Sequence, residues 1–493
     1  MTHHTTEEDE SEFHFQTTHR RDESGRYMVQ LPLRENISEL GDSRALVLKR
    51  FYTLEGKLIQ QPELRKQYVD FMTEYEELGH CKEVDECKDD PNIIKWYLPH
   101  HAVLRPSKTT TKCRVVFDAS ARVSGCSLND VMKVGAICQS DLQAIVLRFR
   151  EPRYVLTGDV AKMYRQVIVD KCHTPLQRVF WRKKSSDPLR VLELTPVTYG
   201  TASAPFLATR ALLQLAIDEK CKFPLAAEIV EKSFYVDNAL FGFDHFTQTS
   251  EAQSQLMRLM KSGGFHLHKW ASNEPKLMNA IPIKDREELV RIDNFGINEV
   301  IKTLGLLWSP MNDELVFMSL PKCEIENPTK RQVLSPIARM FDPLGLVAPV
   351  ILIGKLLMQQ VWKDGSNWDE VINRDLTQNW KLFLDAIDGV NRIRIPRLVV
   401  AEGATIIEMH GFADASQNAY GACVYIRSVV PNRSVVLRLM SAKSKLVPKN
   451  VLTIPRKELL AALLLHRLVK KIIRDLKMHI EKTVLWSEES NST

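Results

Sequence analysis

Residues 93–320 alternate between strand-like and helix-like stretches, and this alternation limits the fold more than any other feature of the sequence. Runs rich in β-branched and aromatic residues, such as RYVLTG and RVLELTPVTYG, predict strands. Before the first of them, Leu142, Ile145, Val146 and Phe149 recur at helical spacing and predict an amphipathic helix. The alternation of the two patterns predicts an α+β or α/β unit.

The flanking stretches differ from this unit in composition. A chain of 493 residues is too long for one ordinary core, so we expect two to four domains. Residues 1–26 are polar and charged, which predicts a disordered tail. Residues 27–92 predict a helical extension, with Asp42 or Ser43 capping one helix and Pro62 opening the next. Residues 311–400 are mostly helical in pattern, and strand patterns followed by a long helix occupy residues 401–493.

Composition excludes several classes of protein. Apolar residues make up 44% and charged residues 26%, which is typical of globular proteins. The net charge of +6 permits a nucleic-acid channel without requiring one. Nine cysteines, an odd number with no Cys-x-x-Cys pair, favour a reducing compartment over secretion. The longest apolar stretch, residues 343–354, is interrupted by Pro349 and is too short for a membrane span.

Two aspartates end strand-like runs and are the candidate catalytic residues. Asp159 follows YVLTG, and Asp237 lies in KSFYVDNALFGF, where Asp237-Asn238 predicts the tip of a tight hairpin. Two such aspartates can meet across one sheet and bind two Mg²⁺ ions about 3.5 to 4 Å apart, as nucleotidyl transfer requires. The alternative is that both are ordinary turn residues.

Motifs around these aspartates resemble the reverse transcriptases of BEL/Pao-type long-terminal-repeat retrotransposons. They occur in the family's order from residue 27 to near the C-terminus: LPLRENISELGDSRALVLKRF, YLPHHAVLRPSKTTTKCRVVFDASA, LTGDVAKMYRQV, VTYGTASAPFLATRAL, FYVDNALFG, GGFHLHKWASN, LGLLWSP and IARMFDPLGLVAPV. The resemblance implies an α+β multidomain, right-hand polymerase. Its fingers and palm would be residues 93–310, its thumb and connection residues 311–400, and a truncated ribonuclease H-like domain residues 401–493.

The resemblance also implies roles for single residues. Asp159 and Asp237 would bind the metal, the backbone carbonyl of Val160 would complete the shell, and Asn238 stands where the family usually has a second aspartate. Tyr164 would lie under the incoming sugar and exclude a 2′-hydroxyl. The remaining assignments are nucleotide contacts by Arg114, Tyr199, Gly200 and Lys269, and a primer-gripping hairpin containing Leu304, Gly305 and Trp308. For Tyr164 the alternative is a packing role.

The C-terminal part resembles the start of a ribonuclease H, with HGFADAS as its first strand and RKELLAALLL as its first helix. Asp414 and Glu458 would be its metal ligands, and Glu488 stands where the family has an aspartate. Because a fourth carboxylate has no sequence to come from, we expect no ribonuclease H activity. Residues 331–470 also overlap a region called the Pao retrotransposon peptidase, but the sequence contains no Asp-Thr-Gly or Asp-Ser-Gly.

The sequence therefore predicts an RNA-directed DNA polymerase that uses two Mg²⁺ ions, or Mn²⁺ in their place. Its partners would be a primed RNA or DNA template, deoxynucleoside triphosphates, and the capsid, protease and integrase segments of a parent polyprotein, with no membrane partner. We expect it in cytoplasmic virus-like particles or the nucleus, not outside the cell. The competing hypotheses are a catalytically inactive remnant that only binds nucleic acid, which Asn238 favours, and an aspartic peptidase.

Overall fold

The computed structural model describes residues 5–104, 113–292, 297–318, 325–365, 367–431, 434–448 and 452–487. The α-helices are α1 (Thr6–Thr18), α2 (Arg44–Gln60), α3 (Pro62–Glu77), α4 (Leu142–Phe149), α5 (Met163–Gln166), α6 (Ala204–Asp218), α7 (Pro224–Ser233), α8 (Phe246–Ser262), α9 (Lys330–Arg339), α10 (Ala348–Lys363), α11 (Arg374–Ile387) and α12 (Ile454–Asp475).

The strands of the described residues form several sheets. In chain order they are β1 (Arg20–Arg21), β2 (Tyr27–Val29), β3 (Cys81–Val84), β4 (His100–Leu104), β5 (Cys113–Phe117), β6 (Tyr154–Val160), β7 (Ile168–Val169), β8 (Arg178–Trp181), β9 (Arg190–Leu194), β10 (Phe234–Tyr235), β11 (Asn238–Phe243), β12 (Leu267–Ser272), β13 (Val290–Ile292), β14 (Ile297–Thr303), β15 (Leu306–Ser309), β16 (Glu314–Val316), β17 (Arg394–Pro396), β18 (Ile406–Ala415), β19 (Ala419–Val429), β20 (Val435–Leu446) and β21 (Lys482–Ser487). The predicted mixture of helices and strands is confirmed.

The chain divides into two compact units. Unit 1 contains Met1–Gln139, Val160–Glu231 and Ser254–Leu267, and unit 2 contains Ser140–Asp159, Lys232–Gln253 and His268–Thr493. The division cuts through the stretch 93–310 that the sequence treats as one fingers and palm region. The segments that carry Asp159 and Asp237 belong to the same unit as the C-terminal half of the chain.

Unit 1 contains the sheets β1-β2-β7, β3-β9-β8 and β4-β5. The two helices predicted in its N-terminal part are confirmed as α2 and α3, and Pro62 is the first residue of α3. On α3, Tyr68, Met72 and Tyr75 are buried at helical spacing. Such a stripe commits one face of the helix to the core, and α3 packs against β5.

The prediction of a disordered tail at residues 1–26 is wrong for its described part. Thr5 and Glu8 form a capping box that opens α1, and Phe15 is buried. The acidic residues of α1 pair with basic residues of unit 1: Glu12 with Arg210 at 2.9 Å, Lys133 with Glu10 at 2.6 Å and Arg34 with Glu7 at 2.8 Å. These partners lie far away in the sequence, so composition alone does not reveal them.

His100 is a buried histidine of β4 with two neutral hydrogen bonds. Its Nε2 lies 2.9 Å from the carbonyl oxygen of Phe180 and must donate, so Nδ1 accepts from the hydroxyl of Tyr68. Burial lowers the pKa of His100 to about 4. The charged form is therefore disfavoured in the folded protein relative to the unfolded chain.

We predict that this histidine makes the stability of the protein depend on pH. Because its folded pKa lies below its unfolded pKa, its contribution is complete above about pH 6.5 and is lost as the pH falls towards 4. Between pH 7 and 4.5 the free energy of unfolding should fall by roughly 2 kcal/mol more in the wild type than in His100→Gln. Urea denaturation of both proteins across this range measures the difference. Parallel profiles would contradict the assignment, since His80 and every carboxylate are common to both proteins.

Unit 2 contains the sheets β10-β11-β6-β12, β13-β14-β15-β16-β17 and β20-β19-β18-β21. In the last sheet β21 is parallel to β18 and the other neighbours are antiparallel. Along β18, Met409 and Ala413 are buried whereas Phe412 and Asp414 are exposed, and α12 packs on β18 and β19. One apolar core runs from α4 and β6 through α10 and α11 to this sheet and α12.

The helices predicted for residues 311–400 are confirmed as α9, α10 and α11. Among the described residues, no helix combines the length and the hydropathy of a membrane span.

Candidate active site

Asp159 and Asp237 lie at the same end of the sheet β10-β11-β6-β12. Asp159 is the penultimate residue of β6, and its register partner on the antiparallel strand β11 is Asn238. Asp237 immediately precedes that partner. The prediction that the two aspartates share one sheet is therefore confirmed, while their chemistry stays a prediction.

The turn that presents Asp237 differs from the predicted one. Tyr235 pairs with Asn238, so the two residues at the tip are Val236 and Asp237, and Asn238 is the first residue of β11. Val236 adopts a φ of 55°. Positive φ is costly for a β-branched residue, and such strain is concentrated at functional sites. Asn238 is thus held by strand pairing and not by the turn preference that the sequence suggested.

Two consecutive residues of β12 contact the carboxylate of Asp159. Nζ of Lys269 lies 2.9 Å from Oδ2, and Nε2 of His268 lies 3.4 Å from Oδ1. Neighbouring residues of a regular strand point to opposite faces, but Lys269 has a φ of 52°, which interrupts the alternation. Although burial opposes it, the contacts with His268 and Lys269 lower the pKa of Asp159. Asp159 is therefore ionised and already paired with a cation.

Asp237 has a different electrostatic environment. Burial, followed by the negative charge of Asp159, raises its pKa. Nδ2 of Asn238 donates to Oδ1 of Asp237 over 2.7 Å. The charge of Asp159 thus acts on Asp237, in agreement with their place at the same end of the sheet. Such a pair attracts positive charge to this end of the sheet.

Sequence reasoning missed two residues beside these aspartates. His268 lies in the motif GGFHLHKWASN and contacts Asp159, next to Lys269 with its positive φ. Glu287 follows Arg286, which bridges to Trp270 of β12, and the amide of Glu287 donates to the carbonyl of Trp270 over 2.9 Å. Burial raises the pKa of Glu287, and the charges of Lys269, Asp159 and His268 also act on it. Nothing in the sequence marks Glu287, because its position depends on that bridge.

The donor set at this end of the sheet suits a hard divalent cation. Carboxylate oxygens are the ligands that Mg²⁺ prefers, and Asp159 and Asp237 supply them from adjacent strands. Within the described residues, no group of three or more His, Cys, Asp or Glu side chains forms a ready metal cage. Lys269 lies beside one of the two carboxylates. A cation would therefore be bound by Asp159 and Asp237 with further oxygens from elsewhere, and Val160, the buried last residue of β6, keeps its role as a prediction.

Two of the predicted nucleotide-binding residues of unit 1, Arg114 and Tyr199, contact each other. The guanidinium of Arg114 lies 5.1 Å from the ring centroid of Tyr199, and the Tyr199 hydroxyl donates to the carbonyl of Val115 over 2.6 Å. Arg114 itself is exposed on β5. Tyr164 lies half-buried on α5 of the same unit. The structure thus places together Arg114 and Tyr199, and it leaves the roles of all three residues as predictions.

Gly200 approaches β5 closely. Its φ is 107°, and a Cβ at this position would lie 2.2 Å from the carbonyl oxygen of Phe117. Asn129 donates to the Gly200 carbonyl over 3.1 Å and accepts from the amide of Ala202 over 2.8 Å. The structure therefore requires a glycine here because of the close approach to β5, and the nucleotide contact of Gly200 stays a prediction.

We predict that Gly200→Ala lowers the free energy of unfolding by about 3 kcal/mol, because the new methyl group meets backbone that cannot move aside. Gly79→Ala is the matched control, since Gly79 also has positive φ (68°) but has nothing within 4 Å of its Cβ position. The control should lose only about 1 kcal/mol, the strain of the left-handed conformation alone. Urea denaturation measures both. Equal losses would show that the contact with Phe117 is unimportant.

The predicted primer-gripping residues lie on the hairpin β14-β15. Leu304 and Gly305 form its turn, with φ values of 48° and 85°. Trp308 is completely buried, and its indole nitrogen donates to Asp313 over 3.0 Å. Its ring meets Phe149 edge to face. The hairpin is therefore confirmed, with the Trp308 side chain in the core, and its grip on a primer stays a prediction.

The predicted ribonuclease H-like metal ligands are Asp414, Glu458 and Glu488. Asp414 is exposed near the end of β18 and lines a cavity of about 630 Å³ with Phe412, Tyr420 and Trp486. Glu458 lies in the first turns of α12, which packs on the same strand. Glu488 lies outside the described residues. HGFADAS and RKELLAALLL are confirmed as a strand and a helix.

Comparisons with known proteins agree with this architecture. A family model described as the Pao retrotransposon-like RNaseH-like domain matches residues 329–489. Its span includes α9–α11, which the sequence assigned to the thumb and connection, and its description is of a ribonuclease H-like domain and not of a peptidase. No match is found among the curated proteins.

A solved structure has a similar fold. It is the foamy viral protease-reverse transcriptase dRH in complex with double-stranded DNA, with a TM-score of 0.50 and 13% sequence identity. The match covers 83% of this chain and 60% of that chain. At this identity the likeness concerns the fold alone, and the chain spans less than two thirds of its neighbour.

Proposed function

We propose that this chain, a Pao-type retrotransposon Pol protein with a ribonuclease H-like region, is an RNA-directed DNA polymerase. The observation that carries the proposal is the register of β6 and β11, which sets Asn238 opposite Asp159 and so places Asp237 at the same sheet end. Lys269 lies on the adjoining strand within 2.9 Å of Asp159. Two carboxylates can bind the divalent cations of nucleotidyl transfer to a primer 3′-hydroxyl, and a lysine beside them can neutralise the leaving group.

In this proposal the acidic residues bind cations and the basic residues contact the phosphates of the nucleotide. Asp159 and Asp237 bind divalent cations, which stabilise charge on the attacking and leaving oxygens. The ammonium of Lys269 neutralises the leaving pyrophosphate. Arg114 contacts the triphosphate with a planar, permanently charged group, and Tyr164 packs against the deoxyribose. The primer 3′-oxygen forms the new bond to the α-phosphorus as the bond to pyrophosphate breaks.

The substrates follow from the same assignment. A right-hand arrangement of fingers, palm and thumb would bind a primed RNA or DNA template, and the foamy viral neighbour was solved in complex with double-stranded DNA. We propose that Asp414 and Glu458 do not by themselves suffice to hydrolyse the RNA strand of a hybrid, since the two-metal reaction of a ribonuclease H uses four carboxylates.

Primer extension tests the proposal. Purified protein with Mg²⁺, deoxynucleoside triphosphates and a primed RNA template should extend the primer to the template end, and a primed DNA template should serve as well. Ribonucleoside triphosphates should be used far less well. Failure to extend either template, in Mg²⁺ or Mn²⁺, would overturn the proposal.

A second candidate is a catalytically inactive remnant that binds nucleic acid. Asn238 favours it, since one carboxylate of the usual site is missing, and so does the ion pair that already engages Asp159. This candidate predicts that the primer and template are bound, as seen by a gel shift that weakens with added salt, without any incorporation. Incorporation that depends on Asp159 excludes it.

A further inference from the structure

Arg150, at the end of α4, is a fully buried arginine bonded to backbone carbonyls. Its guanidinium donates to the carbonyl oxygens of Pro396 at 3.0 Å, Arg397 at 3.1 Å, Leu439 at 2.7 Å and Met440 at 2.8 Å. Two of these carbonyls belong to the segment at β17, and two belong to β20 of the ribonuclease H-like sheet. Burial, followed by the charges of Arg397 and Arg438, lowers its pKa to about 9. An arginine suits this buried position because its planar guanidinium can donate to several acceptors at once.

Arg397 makes the reciprocal connection. It is fully buried, donates to the carbonyl of Phe149 over 2.5 Å and to that of Arg153 over 3.2 Å, and pairs with Asp313 through two bonds of 2.6 and 2.7 Å. The amide of Val399 also donates to the Arg150 carbonyl over 2.9 Å. The chain on both sides of Arg150 is therefore fixed to residues 396–399.

The helix α12 and the residues after it contact the α4 segment at both ends of that segment, at Asp141 and at Glu151. Nζ of Lys471 lies 2.6 Å from Asp141, the residue that caps α4. After α12, the amide of Lys477 donates to Glu151 over 2.9 Å. Because a common apolar core fills the space between these contacts, α4 is packed as part of the ribonuclease H-like region.

Only residues 150–153 separate α4 from β6, the strand that carries Asp159. A catalytic group that shifts by 1 Å can lose about 100-fold in rate, so the elements that fix its strand matter as much as its own contacts. We propose that the ribonuclease H-like region serves this chain as a brace, made of residues 396–399, β20 and α12, that fixes α4 and β6 through Arg150. The region would thus be needed for polymerisation whether or not it hydrolyses RNA.

The brace is tested with the full chain and the variant Arg150→Met, which keeps an apolar side chain but removes the Arg150 donors from four carbonyls. The matched control is Arg438→Met. Arg438 joins β20 to the carbonyls of Leu398 and Val400, and none of its hydrogen bonds to described residues reaches α4. Hydrogen exchange is the first readout, because it does not depend on activity. In Arg150→Met, protection of residues 142–160 should fall at least about 10-fold while α2 and α3 stay protected. In the control, residues 142–160 should lose less than about 3-fold in protection, because the four bonds of Arg150 remain.

The activity arm rests on the proposed polymerase function. There Arg150→Met should lower kcat for primer extension at least about 10-fold with KM for nucleotide changed less than about 3-fold, and Arg150→Lys should recover part of the loss. If Arg150→Met does not fold, Arg150→Lys supplies both readouts.

The outcomes distinguish a failure of the brace from a failure of the proposed polymerase function. Unchanged exchange in residues 142–160, or a loss of protection spread evenly over both units, overturns the brace whatever the activity. Loss of protection confined to residues 142–160 supports it even if the wild type does not polymerise, in which case only the proposed function fails.

Discussion

Asp159→Asn should reduce primer extension by more than about 100-fold, while the protein remains folded. Loss of an outer partner of a metal site costs about 10- to 100-fold, and a direct ligand costs more. Asn has the same shape as Asp, so the pairing of β6 with β11 is kept. The lost ion pair with Lys269 is partly exposed to solvent and contributes little to folding. The measurement is single-turnover extension of a primed RNA template at saturating nucleotide.

The control for this variant is Asp118→Asn. Asp118 is paired with Arg50 at 3.1 Å in unit 1, and we assign it a structural role. The Asp118→Asn variant should retain the wild-type rate of primer extension within about 2-fold, since exposed ion pairs contribute little to stability. If Asp159→Asn retains activity within the range of this control, Asp159 does not bind the catalytic cation.

Much of the fold could be predicted because the signals were local. Pro62 and the buried stripe on α3 define that helix from its own sequence, as the alternation of HGFADAS defines β18. The helix α1 could not be predicted in this way. Its apolar content is little more than Phe13 and Phe15, and it is held by ion pairs with residues distant in the sequence.

The candidate site shows the same limit. Asp159, Asp237 and Lys269 were predicted because each lies in a quoted motif, and the structure places them together. The hairpin tip was misplaced by one residue, because the register of β11 on β6 overrides the preference of Asn for positive φ and imposes that conformation on Val236. The burial of Trp308 could not be predicted, because position in a motif does not reveal burial.

Asn238→Asp should raise the rate of primer extension at limiting Mg²⁺ by about 10- to 100-fold, the size of effect associated with an additional carboxylate near a metal site. The wild-type amide donates to Asp237 and thereby uses one of its acceptor oxygens. An aspartate at this position removes that donor and offers two further oxygens opposite Asp159. The measurement is a Mg²⁺ titration of extension rate for both proteins.

The same substitution should make folding depend more strongly on the cation. Three neighbouring carboxylates with Lys269 as a nearby ammonium repel one another, so the variant without cations should be less stable than the wild type. Added Mg²⁺ should stabilise the variant more than the wild type, because a cation that binds only the folded state shifts the equilibrium by mass action. Thermal unfolding with and without Mg²⁺ measures this difference.

The double variant Asp237→Asn with Asn238→Asp decides whether the number or the position of the carboxylates matters. It has the net charge of the wild type, but its second carboxylate lies on β11 and not in the turn. If Asp237 binds the cation directly, the exchange should reduce extension below the wild-type rate although no charge is lost. An exchange variant as active as Asn238→Asp would instead place the useful carboxylate at 238. If Asn238→Asp gains nothing at any Mg²⁺ concentration and Asp159→Asn loses nothing, the assignment of the cation to this end of the sheet is wrong.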